Sequence, residues 1–331
     1  MIRDTLVVEA GDVRLAVYVS GPREAPPLVL VHGYPDSAAV WEPVRAQLDG
    51  RYRVISYDVR GAGASEAPAR RAAYRLERLA SDLAAVVDAT CGGQAFHLVG
   101  HDWGSIQSWE AVTSPSFAGR IASFTSISGP CLDHAALGLR GRSGRSGHSN
   151  RNRNGHGGHG VPPSNKTSAQ TSARPFASGL RQTLKSWYIF LFHLPLVPEL
   201  LWRCGGARAW PLWLRLTERI RPAPDPAQLR NAINGLNLYR ANFIDRLLHP
   251  RNRPAHAPVQ FIVPLRDRYV GPALSSGLEE WLGDYTRDTI DAGHWVVLRD
   301  PVGIAARIDR FASQHPSLSR VNGISAFVAS A

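Results

Sequence analysis

Asp102, Asp267 and His294 are the residues whose types and order could do covalent chemistry. Asp102 lies in "FHLVGHDWGS", where an apolar run enters the turn Gly100-His101-Asp102-Trp103-Gly104. Two glycines at that spacing mark a strand–turn–helix elbow that lifts one side chain clear of the backbone, most often a serine. A carboxylate there does different work. It is ionised at neutral pH without an activating base, and the N-terminus of the following helix favours an anion. It can displace a leaving group from saturated carbon and form an alkyl ester. Taken alone, Asp102 also reads as a plain helix N-cap.

Its company argues for more. "FIVPLRDRYV" sets Asp267 just past a second apolar run, and "TIDAGHWVVL" sets His294 in a glycine loop beyond it. Singly, Asp267 could be a turn former beside Arg266 or Arg268, and His294 a loop histidine. Together they follow the order nucleophile, acid, histidine. An ester on Asp102 must be cleaved by water, and a neutral His294 oriented by Asp267 is the base for that step. "VHGYPD" adds a glycine loop after an early strand-like run. Such a loop commonly supplies one backbone donor to an oxyanion, and the residue after the nucleophile supplies another. Those residues are Tyr34 and Trp103. Tyr34-Pro35 is a candidate cis peptide, since an X-Pro bond makes that isomer inexpensive.

The elements that must carry these residues alternate regularly. "TLVVEAGDVRLAVYVSG" reads as an edge hairpin with a Gly-Asp turn. "PPLVLVHG", "YRVISYDVRG", "AFHLVGHD", "IASFTSISGP" and "PVQFIVPLRD" are short unalternating apolar runs, the pattern of strands buried on both faces of a parallel sheet. Between them, Leu76, Leu79, Ala80, Leu83, Val86 and Val87 keep the spacing of one buried helical face. Alternating strands and helices give an α/β class with a mostly parallel, doubly wound sheet, its site at the strand C-termini.

The pattern stops after Pro130. From about 138 to 177 the chain is rich in Gly, Ser, Asn, His and Arg, a composition unable to bury apolar surface, so a disordered insertion is expected. Nine cationic residues and no carboxylate lie between His134 and Pro198, which accounts for most of the net charge of +11. The remainder is nearly neutral, so the charge marks a basic loop and not a nucleic-acid-binding protein. From Leu180 to His249 the sequence is aromatic-rich and helical, a cap inserted between core strands. The expected division is a core of 1–133 and 255–315, a cap of 134–254 containing the insertion, and a flexible tail of 316–331.

The 331 residues suit one large domain with an insertion. No run approaches a membrane span, and the N-terminus lacks a signal-peptide pattern. Cys91, Cys131 and Cys204 are odd in number and far apart, which argues against disulfides or a zinc site and fits a reducing cytoplasm. No cofactor or metal is expected.

"HGYPD", "YDVRGAGAS", "GHDWGS", "DRYV" and "DAGHW" together resemble the soluble epoxide hydrolases of the α/β-hydrolase fold, over nearly all of 1–133 and 255–315. The nearest likeness is to the hydrolase half of proteins fused to a short-chain dehydrogenase. In the cap, "SWYIFLFHLP" and "NLYRANF" look like the family's two tyrosine motifs, with Tyr188 and Tyr239 in the tyrosine places. The resemblance implies that these phenols hydrogen-bond the epoxide oxygen, and that the partner is a small-molecule epoxide opened to a vicinal diol through an ester on Asp102. Phenols stay protonated at neutral pH and can protonate an alkoxide. Without the resemblance Tyr188 reads as a cap-core aromatic and Tyr239 as a helix residue. Ser105 departs from a frequent family glycine, and the basic insertion exceeds the usual connection. Two other readings share these residues: a haloalkane or haloacid dehalogenase with the same nucleophile, and a catalytically idle binding module. The substrate, the ring carbon attacked and homodimer formation stay open.

Overall fold

The computed structural model describes residues 4–145 and 187–317. Its strands are β1 (Asp4–Ala10), β2 (Val13–Ser20), β3 (Pro27–Val31), β4 (Arg53–Tyr57), β5 (Phe96–His101), β6 (Ile121–Ile127), β7 (Val259–Pro264) and β8 (Tyr285–Ile290). They form one sheet in the order β1-β2-β4-β3-β5-β6-β7-β8. β1, β2 and β4 pair antiparallel, and every pair from β4 onward is parallel. The expected edge hairpin is β1–β2. All residues of β3 and β5 are buried because helices cover both faces of the sheet. Val29 and Val31 pack into one core, while Leu28 and Leu30 face the other.

The helices are α1 (Glu42–Leu48), α2 (Leu76–Thr90), α3 (Trp103–Val112), α4 (Leu132–Arg145), α5 (Trp187–His193), α6 (Val197–Leu201), α7 (Ala207–Thr217), α8 (Gln228–Leu248), α9 (Val296–Arg299) and α10 (Pro301–Gln314). The six periodic residues of α2 are all buried, as their spacing requires. β8 was not legible as an apolar run: "YTRDTI" is largely exposed on the last strand of the sheet.

Helices α4 to α8 lie between β6 and β7 in the chain. Residues 138–145, expected within a disordered insertion, are helical instead. Leu132 and Ala136 bury the first turns of α4, and Arg140 donates to the carbonyls of Leu247 and Leu248 at the end of α8, at 2.9 and 2.8 Å. These contacts carry the helix past its unfavourable composition. The rest of that expected insertion, and the tail from 318 onward, lie outside the described residues.

The long α8 is bolted to the core through side-chain amides. Asn231 accepts from the Gly63 amide at 2.9 Å and Asn234 donates to the Gly61 carbonyl at 2.8 Å. Asn242 accepts from the Leu76 amide at 2.9 Å and donates to the Tyr74 carbonyl at 2.8 Å. Arg240 ties α5 and α6 to α8. Its guanidinium donates to the carbonyls of Phe192 and Leu194 and pairs with both oxygens of Glu199.

Candidate active site

Asp102 sits between β5 and α3 with φ 52° and ψ −124°, a conformation that costs a non-glycine residue about 1–3 kcal/mol. Its surroundings enforce it. The Asp102 amide donates to the Ile127 carbonyl at 2.9 Å, and its own carbonyl accepts from Ile106 at 3.0 Å. The flanking glycines are dictated by close approach: a Cβ on Gly104 would stand 2.0 Å from the Val31 carbonyl oxygen, and one on Gly100 would stand 2.5 Å from the Ser105 Cα. Ser105 is tolerated where a glycine is frequent because its hydroxyl donates to the Gly129 carbonyl at 2.7 Å.

The two oxygens of the Asp102 carboxylate have different neighbours. Oδ1 accepts from the Tyr34 amide at 2.7 Å, and the Tyr34–Pro35 peptide is cis. Oδ2 lies 3.4 Å from Nε2 of His294. Trp103, the second expected backbone donor, opens α3, so its amide has no acceptor within the helix. Behind the imidazole, Nδ1 of His294 meets Oδ2 of Asp267 at 2.9 Å. Oδ1 of Asp267 is held by the amides of Tyr269 and Val270 at 2.7 and 2.9 Å.

Burial alone would lower the pKa of His294. The carboxylates of Asp267 and Asp102, one at each ring nitrogen, hold its proton instead, and the value lies well above that of an ordinary histidine. Burial would likewise raise Asp267, but the imidazole and the backbone donors bring it below the usual carboxylate value. Both phenols of the cap are pushed well above the ordinary tyrosine value, first by burial and next, for Tyr188, by the charge of Asp102, and for Tyr239 by Tyr188 and Asp102. They stay neutral donors.

Asp102, His294, Tyr188 and Tyr239 line one cavity of about 610 Å³ with Tyr34. Trp202, Trp210, Trp213 and Phe192 make much of its remaining wall, giving an apolar chamber with a few convergent polar groups. The rings of Tyr188 and Tyr239 stand 6.0 Å apart and edge-on. Tyr239 also packs edge-on against Trp103 and Tyr34, at 4.8 and 5.4 Å. Five of the seven residues selected from the sequence therefore line one space, while Asp267 stands behind His294 and Trp103 packs against Tyr239. Among the described residues no cluster of three or more His, Cys, Asp or Glu could hold a metal ion.

Sequence reasoning passed over three neighbours. His101 is buried, its pKa lowered to about 4 chiefly by burial, and Nε2 of the neutral ring donates to the His294 carbonyl at 2.9 Å. Asp36 accepts from the Trp295 indole at 2.9 Å, and burial raises its carboxyl to about 7. Tyr269 packs edge-on against both His294 and Tyr188, at 5.0 and 5.5 Å. Their nearness in sequence to the motif residues was the available signal.

A family model described as the alpha/beta hydrolase fold matches residues 26–301. The chain is an α/β-hydrolase. This hydrolase is 32% identical over 315 residues to a "Probable oxidoreductase EphD" of Mycobacterium tuberculosis, covering 93% of this chain and 49% of that protein. The chain thus spans about half the length of that relative. It is also 36% identical over 130 residues to "Epoxide hydrolase A" of Mycobacterium tuberculosis, covering 39% of each. Among solved structures, an epoxide hydrolase of Bacillus megaterium bound to an inhibitor superposes with a TM-score of 0.71 at 19% identity, covering 93% of this chain and 100% of that one. Epoxide Hydrolase A of Mycobacterium thermoresistibile gives 0.66 at 23%, covering 96% and 100%. At such identities these two likenesses speak for the hydrolase fold.

Proposed function

We propose that this α/β-hydrolase is an epoxide hydrolase, converting an epoxide to a vicinal diol through an ester on Asp102. One observation carries the reading: two buried neutral phenols, Tyr188 and Tyr239, share an apolar cavity with a carboxylate and its histidine. A carboxylate nucleophile alone suits several displacements. Paired proton donors opposite it suit a leaving group that departs as an alkoxide. The names of the relatives, several of them epoxide hydrolases, agree with it.

In the first step Oδ2 of Asp102 attacks a ring carbon, while Oδ1, held by the Tyr34 amide, becomes the ester carbonyl. The C–O bond breaks and the alkoxide takes a proton from a tyrosine. Esterification removes one of the two anions that held the proton on His294, so its pKa falls. That proton restores the phenol, leaving His294 neutral. In the second step His294 deprotonates water, which adds to the ester carbonyl carbon. The resulting oxyanion rests on the amides of Tyr34 and Trp103. Collapse releases the diol and returns a carboxylate facing a protonated His294. Asp267 orients the imidazole and stabilises its charged form.

In this reading the core of 1–133 and 255–315 supplies nucleophile and base, and the cap of 134–254 supplies the acids. The compartment is a reducing cytoplasm, to which the free thiols of Cys91, Cys131 and Cys204 are suited. No helix among the described residues is long and apolar enough to cross a membrane. Incubation with terminal, aryl and fatty epoxides, read by mass spectrometry for diols, tests the reading. Halide release from haloalkanes without diol formation would replace it with a dehalogenase.

A further inference from the structure

The cap's inner surface lines the catalytic cavity; its outer surface carries an unusual density of exposed apolar side chains. Leu196 and Leu216 leave 71% of their surface exposed, Leu200 56% and Leu212 55%. They come from α6, its N-terminal turn and α7, which follows α6 after the turn Trp202–Gly206. A soluble surface tolerates isolated leucines, but so many on two short neighbouring segments point to an interaction site.

Charge decides what kind of surface fits it. Along α7, Arg208, Leu212, Arg215 and Leu216 recur at intervals of four, seven and eight residues from the first, so arginine and leucine share one exposed face. Arg203 and Arg219, also exposed, flank that helix. None of these four arginines forms an ion pair with a described carboxylate within 4 Å. A helix with leucines and unpaired arginines on its outer face is the pattern of an element that lies in a lipid interface, its apolar side chains in the acyl boundary and its cations among anionic headgroups. A second copy of the chain fits poorly, because a two-fold contact would set these arginines against themselves.

The same face leads inward. An apolar groove of about 280 Å³ is lined by Pro198, Leu201 and Ala209 together with Phe192, Trp202, Trp210 and Trp213, and those four aromatic residues also line the catalytic cavity. Outer face and reaction chamber therefore share a wall. A protein partner seated on this groove would cover that approach, whereas a lipid surface would supply through it.

We propose that the outer face of α6 and α7 docks on an anionic lipid surface, and that the tryptophan-lined groove admits an apolar epoxide dissolved in that surface. The nature of the cargo rests on the epoxide hydrolase reading; the docking does not, and its test needs no turnover. The whole chain is mixed with vesicles of phosphatidylcholine alone or blended with phosphatidylglycerol, then sedimented. The parent is expected to co-sediment with the anionic vesicles and to be released by high salt. Leu200→Asp with Leu212→Asp should weaken this partition at least about tenfold. Arg208→Glu with Arg215→Glu should do the same on anionic vesicles only. Both pairs should turn over a small water-soluble epoxide such as styrene oxide at the parent rate, which reports an intact fold. Circular dichroism serves the same purpose if the parent does not hydrolyse styrene oxide; the activity reading fails only if no epoxide of the panel gives a diol, and the docking is measured either way. Absence of parent binding, or equal binding by the Leu pair, would overturn the docking. So would a parent dimer in sedimentation velocity that the Leu pair dissociates, since a second copy would then occupy the face.

Discussion

The core and the cap each hold reactive groups at the same cavity, and they hold them by different physics. In the core, position is fixed by backbone. Asp102 is held at a positive φ by ladder and helix bonds, and its carboxylate is aimed by the Tyr34 amide. Asp267 is pinned by two amides and His294 by its own carbonyl through His101. In the cap, Tyr188 and Tyr239 are placed by ring packing on helices that are tied down through Arg240 and three asparagines. Charged groups need hydrogen-bonded, satisfied sites in a low-dielectric interior. Neutral phenols are cheaper to bury and are placed chiefly by packing, with one hydroxyl each to satisfy. The division accounts for the charged groups standing at strand ends and the proposed proton donors standing on a helical layer.

Substitutions can break that contrast. Asp102→Ala should have the largest effect, lowering turnover at least about a thousandfold with an unchanged fold, because it removes the sole covalent carrier. Turnover within tenfold of the parent, measured as diol formation, would sink the covalent route. Next come the cap donors. Tyr188→Phe and Tyr239→Phe should each slow ester formation roughly tenfold, less than the cost of a unique donor, and the double change should approach a thousandfold. Single-turnover alkylation within threefold of the parent in the double variant would instead favour a leaving group that needs no proton.

His294→Gln should split the two steps. The variant should consume about one equivalent of epoxide and then stall, with steady turnover down at least about a hundredfold. Intact mass showing no adduct on the Asp102 peptide, with a substrate the parent consumes, would contradict that order. The smallest effect concerns stability alone. Asp36 has a carboxyl raised to about 7 in the folded protein, so it favours folding in its neutral form, and that contribution is lost as pH rises from about 4 to 7. Asp36→Asn keeps an acceptor for Trp295 and escapes the loss. It should add about 1–3 kcal/mol at pH 8 and much less at pH 5; a gain independent of pH in urea unfolding would refute the assignment.

Much of the core could be read from sequence because its constraints are local and repeated. Each buried strand is an apolar run ending in a glycine or polar turn, and Asp102 and Asp267 stand at the ends of two such runs, with His294 marked by its own glycine loop. The six-residue face of α2 was legible for the same reason. β8 was not, since an exposed strand at the sheet edge needs no apolar run. The end of α4 was misjudged because its stability comes from Arg140 reaching α8, a contact more than a hundred residues distant. Tyr188 and Tyr239 owe their selection to resemblance, since no local rule separates a phenol that faces a cavity from one packed in a cap. The motif around Tyr239 gains its meaning in three dimensions, where Arg240 and Asn242 fasten the helix that bears it.

The single amide bond from Tyr34 to Oδ1 of Asp102 makes the two oxygens of one carboxylate inequivalent. If the side chain keeps that bond through the cycle, Oδ1 is the carbonyl in every ester and never leaves. Only the oxygen facing His294 departs with the diol, to be replaced from solvent. Many turnovers in isotopically heavy water should therefore exchange one oxygen of Asp102 and stop, leaving half the carboxylate a permanent record of the atom installed at translation.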